Sequence, residues 1–219
     1  MILFLVPVGQ NRFELYSEGR DEPEPLAHEH EGFFRRWSRR IGVRWNELVE
    51  TARRNNGGGR FARWRDAVVC RLAETIAEQR TLWALRHVNR AVARFPSSLD
   101  AARARTILVE LLAHGRRHHL RWLWVDLVLV IVSGVFALVP GPNFIAYYFL
   151  FRLIGHLQSW RGARAGMEAI AWTYEPDAEL AALGALADVP REERASHVAA
   201  IAERLNLPRL SQFFDRVTV

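Results

Sequence analysis

Three ionisable side chains stand inside the most apolar part of this chain. Asp126 is the only charge within Trp122–Val139, and Arg152 and His156 follow the next apolar stretch, Phe144–Phe151. Pro140-Gly141-Pro142-Asn143 separates the two arms and is a strong turn signal. Asp126 lies 14 residues before Pro140, and His156 lies 14 residues after Pro142. If both arms are helical, each group sits ~21 Å from the turn. Arg152 is four residues before His156, hence on the same helix face. The three groups can therefore meet. An aspartate beside an imidazole is a plausible proton-relay pair, and an ionisable residue at membrane depth is a functional candidate. The plainer alternatives are neutralisation of Asp126 by Arg152, or snorkelling of both to an interface.

The elements that must position these groups read as an apolar helical hairpin. Trp122–Val139 has 18 residues, spanning ~27 Å as a helix, close to a ~30 Å hydrocarbon core. Arg116, Arg117 and Arg121 precede the first arm, Arg161 and Arg164 follow the second, and the turn is uncharged. Such flanks suit contact with lipid headgroups. By the positive-inside tendency they leave both termini cytoplasmic. Trp122, Trp124 and Trp160 fit an interfacial aromatic belt. The expectation is a membrane-inserted hairpin. The alternative is a hairpin buried in a soluble helical domain.

Charge sharpens this picture. All 30 basic side chains are arginine, and the net charge is +6. Residues 1–34 carry −5, residues 35–121 carry +13, and residues 122–219 carry −2. A basic middle calls for an anionic partner. Arg35, Arg36, Arg39, Arg40 and Arg44, interleaved with Trp37 and Trp45, could hold phosphates and stack bases or sit on headgroups. A complete lack of lysine reflects bias over the whole chain, which weakens the nucleic-acid reading. Membrane lipid is the expected partner, with another membrane protein or self-association as possible additions.

Along the chain, Ile2–Val8 and Arg12–Tyr16 read as an N-terminal β-hairpin around Gly9-Gln10-Asn11. Asp21–Glu31 is an acidic, proline-containing linker. Apolar residues from Phe33 to Ala52 recur at helical spacing, and a second helix is expected from Phe61 to Arg94. Ser97 and Asp100 suggest a capping box for a third helix ending near Gly115. Leu180–Leu186, Pro190–Leu205 and Pro208–Arg216 read as helices, with Arg191 to Arg194 on a solvated face. The resulting division is residues 1–31 (hairpin and linker), 32–121 (basic helical region), 122–160 (apolar hairpin) and 161–219 (helical tail). The fold class is mainly α.

Enzymatic chemistry finds no support. Cys70 is the single cysteine, so a disulfide framework or multi-cysteine metal site is excluded. His28 and His30, and His118-His119, lack the spacing of a strong metal motif. Gly57-Gly58-Gly59 lacks the strand and the Lys-Ser/Thr of a phosphate loop. No cofactor or metal is expected. Met1–Val8 is apolar without a basic flank, and acids follow it, unlike a secretory signal or a transit peptide.

The chain resembles the mitochondrial potassium/proton exchange-related family, which also has bacterial members. The pieces that carry the resemblance are Val6-Pro7-Val8-Gly9 with Arg12-Phe13-Glu14-Leu15-Tyr16, then Arg80-Thr81-Leu82-Trp83-Ala84-Leu85. The most specific is Val139-Pro140-Gly141-Pro142-Asn143 continuing to Tyr147, Tyr148, Arg152 and His156. Leu207, Leu210, Phe213 and Phe214 resemble the family's ending. The resemblance implies a link to potassium/proton exchange, and the lack of a transit segment implies a bacterial member in the inner membrane. One hairpin is far less than the repeat bundles of secondary transporters. The expected role is therefore an accessory or regulatory membrane protein of cation homeostasis, not an enzyme. The alternative is a peripheral or soluble helical module that binds anionic lipid or RNA through its arginine-rich face.

Overall fold

A computed structural model describes residues 1–18, 81–135 and 144–218, without the side chains of 134–135 and 144–147. The expected helices between Phe33 and Arg80, and the Pro140–Asn143 turn, lie outside the described residues.

The N-terminal hairpin forms. Strands β1 (Ile2–Gly9) and β2 (Arg12–Tyr16) pair antiparallel, and the register shifts between Pro7 and Gly9. The turn uses the left-handed region at Asn11, φ 57°, a conformation asparagine tolerates better than most residues. β1 does not end there. It also pairs in parallel with β3 (Arg90–Pro96), which pairs in parallel with β4 (Ala171–Asp177). The sheet order is β2-β1-β3-β4.

This corrects the mainly-α, all-helical expectation. The second helix was expected to run to Arg94, but residues 90–96 are a strand. Ala91, Ala93 and Phe95 are buried while Arg90, Val92 and Arg94 are less so, a period of two. Alanine and arginine are good helix formers, and this composition masked the alternation. In the parallel pairing with β1 and β4, tertiary context overrides propensity.

β1 is apolar because both its faces are covered. Leu3 and Leu5 turn to one side, where they pack with Ala93, Phe95 and the first turns of α1 (Ala101–Val135). Phe4, Val6 and Val8 turn to the other. There they meet α3 (Ala178–Ala185), α4 (Arg191–Arg204) and α5 (Leu210–Val217) through Leu180, Leu183, Val198, Ile201, Leu210 and Phe214. Among the described residues there are thus a four-stranded mixed sheet and five helices with both ends described, besides helical residues 81–85, with a core on each side of the sheet. Arg194 is buried rather than solvated, and its guanidinium donates to the carbonyls of Ala187, Val189 and Thr218.

α1 starts at Asp100, whose carboxylate accepts from the Arg103 N–H at 2.6 Å. It does not stop near Gly115 but runs unbroken for 35 residues. Its first turns lie on the sheet through Ala104, Ile107, Leu108 and Leu112. Beyond them it pairs with α2 (Phe144–Glu168) as a two-helix arm. The arm joins the neighbouring parallel strands β3 and β4.

Among the described residues no helix is long and apolar enough to cross a membrane. The transmembrane hairpin expected over residues 122–160 is therefore corrected. Its most apolar run continues into residues 136–139, outside the described residues, and Arg152, His156 and Arg161 break up the second arm. The cytoplasmic orientation of both termini presupposed a span and loses its basis with it.

Candidate functional site in the two-helix arm

The arm is built with its polar groups inside. On α1, His119, Asp126 and Ser133 are buried at intervals of seven residues, continuing the line of Leu112. Seven residues are nearly two helical turns, so these side chains share one stripe facing α2. On α2, Gly155, His156, Ser159, Gly162 and Ala163 are buried. The opposite side of α1 exposes Trp124 (62%), Val128 (56%), Ile131 (65%) and Val132 (53%). A helical hairpin in water has the reverse arrangement.

The structure brings Asp126, Arg152 and His156 together. Asp126 is fully buried. Arg152 Nη2 lies 3.3 Å from its Oδ1, and His156 Nε2 lies 3.5 Å from its Oδ2. Neither oxygen has a hydrogen bond of good geometry among the described residues. Burial pushes the Asp126 carboxyl above its usual range, and the Arg152 guanidinium opposes that rise. Arg152 is held from the other side by the faces of Trp122 (5.3 Å) and Tyr148 (5.7 Å), a favourable seat for a guanidinium.

The cluster has a fourth member. His119 Nδ1 lies 2.9 Å from His156 Nδ1. In such a contact one nitrogen carries the proton and the other accepts it, so the two imidazoles cannot both be fully protonated. Burial is the main cause that pushes each down to about 4; His156 then lowers His119, and Arg152 lowers His156. Trp122 stacks against His156 at 6.3 Å. The result is a line of exchangeable sites from the Asp126 carboxyl through both nitrogens of His156 to His119. Sequence reading finds His118-His119 only as a pair without metal-motif spacing and misses this role of His119. The signal was available: His119 is seven residues before Asp126 and so lies on its face.

The arginines expected at headgroups separate into two groups. Arg116, Arg117 and Arg164 line a cleft of about 370 Å³, and Arg161 and Arg164 line an adjoining one of about 560 Å³. Arg121 is exposed and lines neither. Both clefts lie at the root of the arm, beside Trp160 and Glu168.

The root is fixed by unusually close packing. A Cβ on Gly162 would fall 1.7 Å from the Leu82 carbonyl oxygen, so no other residue fits there without backbone movement. Trp83 Nε1 donates to Ser159 Oγ at 2.8 Å, and Ser159 donates to the Gly155 carbonyl at 3.0 Å. Among the described residues, no three His, Cys, Asp or Glu side chains gather in a way that could hold a metal ion.

No curated protein and no solved structure matches this chain. The sequence model of one family does match, over residues 3–168. The matched part runs from β1 through α2 and contains all four residues of the buried cluster. By that match the chain belongs to the mitochondrial K+-H+ exchange-related family.

Proposed function

We propose that this chain is a non-enzymatic accessory component of potassium/proton exchange, and that the Asp126–His156–His119 line is its proton-linked element. One observation carries the reading: a fully buried carboxyl, without a hydrogen bond among the described residues, adjoins the His156 imidazole, which in turn shares a hydrogen bond with His119. A buried carboxyl of raised pKa takes up a proton readily, and the imidazoles offer a path for it. Arg152 stabilises the ionised state. Gain or loss of one proton therefore changes the charge on the stripe that holds the two helices together.

The accessory role is supported by the arm: among the described residues it is a single pair of helices, without the repeated halves that close a transport path, so on this reading ion movement needs a partner or several copies. The apolar outer face of α1 suits work at a membrane. The test compares membranes from cells with and without the chain, using a pH-sensitive dye. Potassium-dependent proton movement should fall without it. Wild type should restore it, and Asp126→Asn and His156→Ala should not. Proteoliposomes of the purified chain should show no exchange. Exchange by the chain alone would sink the accessory role, and unchanged exchange in cells lacking it would sink the link.

A further inference from the structure

The clefts at the root of the arm hold a second set of charges, separate from the Asp126 cluster. Five arginines line them: Arg86, Arg116, Arg117, Arg161 and Arg164. Among the described residues their only acid is Glu168, which pairs with Arg164 at 2.8 Å and with Arg116 at 3.6 Å. Glu168 thus draws two guanidinium groups together without neutralising the set. Arg117 and Arg161 form no ion pair among the described residues. Arg86 is pinned, its Nε donating to the Trp83 carbonyl at 3.1 Å and its Nη1 donating to Gln158. Burial and the neighbouring Arg161 charge both hold Arg86 below the usual arginine range. Like charges crowded at a fixed site are relieved by an anion.

The shape indicates which anion. The clefts share Trp160, and one of them is also lined by Leu120. Leu120 begins the exposed apolar stripe that continues along α1 through Trp124, Val128, Ile131 and Val132. Leu120, Trp124, Val128 and Val132 are each four residues apart and Ile131 lies three after Val128, so they form one helix face. A basic cleft passes directly into an apolar track. Inorganic phosphate would use the cleft alone, and an apolar peptide would use the track alone.

We propose that the clefts and the track form one binding site for an anionic phospholipid, with its phosphate among the arginines and an acyl chain along α1. Phosphate is a good bidentate partner for guanidinium. The chain would cover apolar surface that otherwise faces water.

The test is flotation of the full chain with vesicles of phosphatidylcholine alone or mixed with phosphatidylglycerol. Binding should require the anionic lipid. Arg117→Ala and Arg161→Ala should each weaken it about fivefold, with thermal melting showing an intact fold. Arg105→Ala, an exposed arginine of α1 outside the clefts, should weaken it far less. Trp124→Ser and Val128→Ser should also reduce binding. Equal loss in Arg105→Ala would overturn the proposal in favour of diffuse attraction. Binding of soluble glycerol 3-phosphate that is lost in Arg117→Ala, with vesicle binding indifferent to Trp124→Ser, would overturn it in favour of a soluble organophosphate. Loss of self-association in Trp124→Ser without loss of vesicle binding would make the track a protein interface. Asp126→Asn, which lies outside the clefts and the track, should leave vesicle binding unchanged while abolishing the exchange link, so failure here is distinct from failure of that link.

Discussion

The sheet-centred body and the two-helix arm follow opposite rules. In the body, Leu3, Leu5, Leu108, Leu183 and Phe214 are inside and charge is outside, with Arg194 as an exception whose two terminal nitrogens donate to backbone carbonyls. In the arm, His119, Asp126, Ser133 and His156 are inside while Trp124, Val128 and Ile131 are outside. A body of that kind is held together by the removal of apolar surface from water. The arm cannot be. Its helices are joined by the Asp126–Arg152 ion pair and the His119–His156 imidazole contact, and α2 is held at its root by the close approach of Gly162 to Leu82. The body thus has its apolar side chains inside, whereas the arm has its polar side chains inside and an apolar stripe exposed.

Paired truncations probe this contrast most strongly. Phe214→Ala should destabilise the protein by about 3–5 kcal/mol in chemical denaturation, because it opens a cavity in a closed core. Arg152→Met should cost about 3 kcal/mol, since it leaves the buried Asp126 carboxylate without its counter-charge. Asp126→Leu combined with Arg152→Met should recover most of that loss. If the double variant is no better than the single, the ion pair is not what joins the helices. Gly162→Ala should cost about 1–3 kcal/mol by forcing the Leu82 backbone away, and a neutral result would refute the close approach at the root. At the small end, Trp124→Ser should change stability in lipid-free solution by less than about 0.5 kcal/mol. A loss there as large as that of Phe214→Ala would erase the distinction between the two regions.

Acid should act on the arm in particular. Free imidazoles take up protons near 6.5, whereas His119 and His156 in the fold do so only at about 4. The unfolded chain therefore binds more protons between those values, and stability falls as pH drops from 6.5 toward 4. Asp126 works in the other direction. Its folded pKa is raised, so its contribution is lost as pH rises through that value. His119→Gln with His156→Gln should flatten the decline between pH 6.5 and 4 in thermal melting. An unaltered decline would assign it to other groups.

The sequence disclosed these regions unequally. The N-terminal hairpin was legible because Gly9-Gln10-Asn11 separates two runs of strand character. The meeting of Asp126, Arg152 and His156 was legible because both arms are regular and the distances from the turn are equal. β3 was not, since alanine and arginine hide a period of two inside a helical composition. β4 was overlooked too: Trp172 and Tyr174 alternate with Thr173 and Glu175, but Ala171 and Pro176 dilute the pattern. The apolar run was read as a span because hydropathy alone does not reveal which face of a helix is turned inward. Once α2 is in place, the polar residues prove to be the inner ones. The five arginines of the clefts come from residue 86, from residues 116–117 and from residues 161–164. Only the β3–α1–α2 path folds these three places together.

Both roots of the arm enter adjacent strands of one sheet, and this has a mechanical consequence. α1 extends ~35 Å past Leu112, its last buried contact with the body, and only ~17 Å before it. It is a lever with a pivot about a third of the way along. A tilt that moves its far end by ~4 Å displaces the sheet-bound end by ~2 Å, where Ala104 and Ile107 share a core with Leu3, Leu5, Ala93 and Phe95 of the sheet. α2 passes the same motion to β4. Force applied to the arm would thus reach the strands at reduced amplitude and with correspondingly greater leverage.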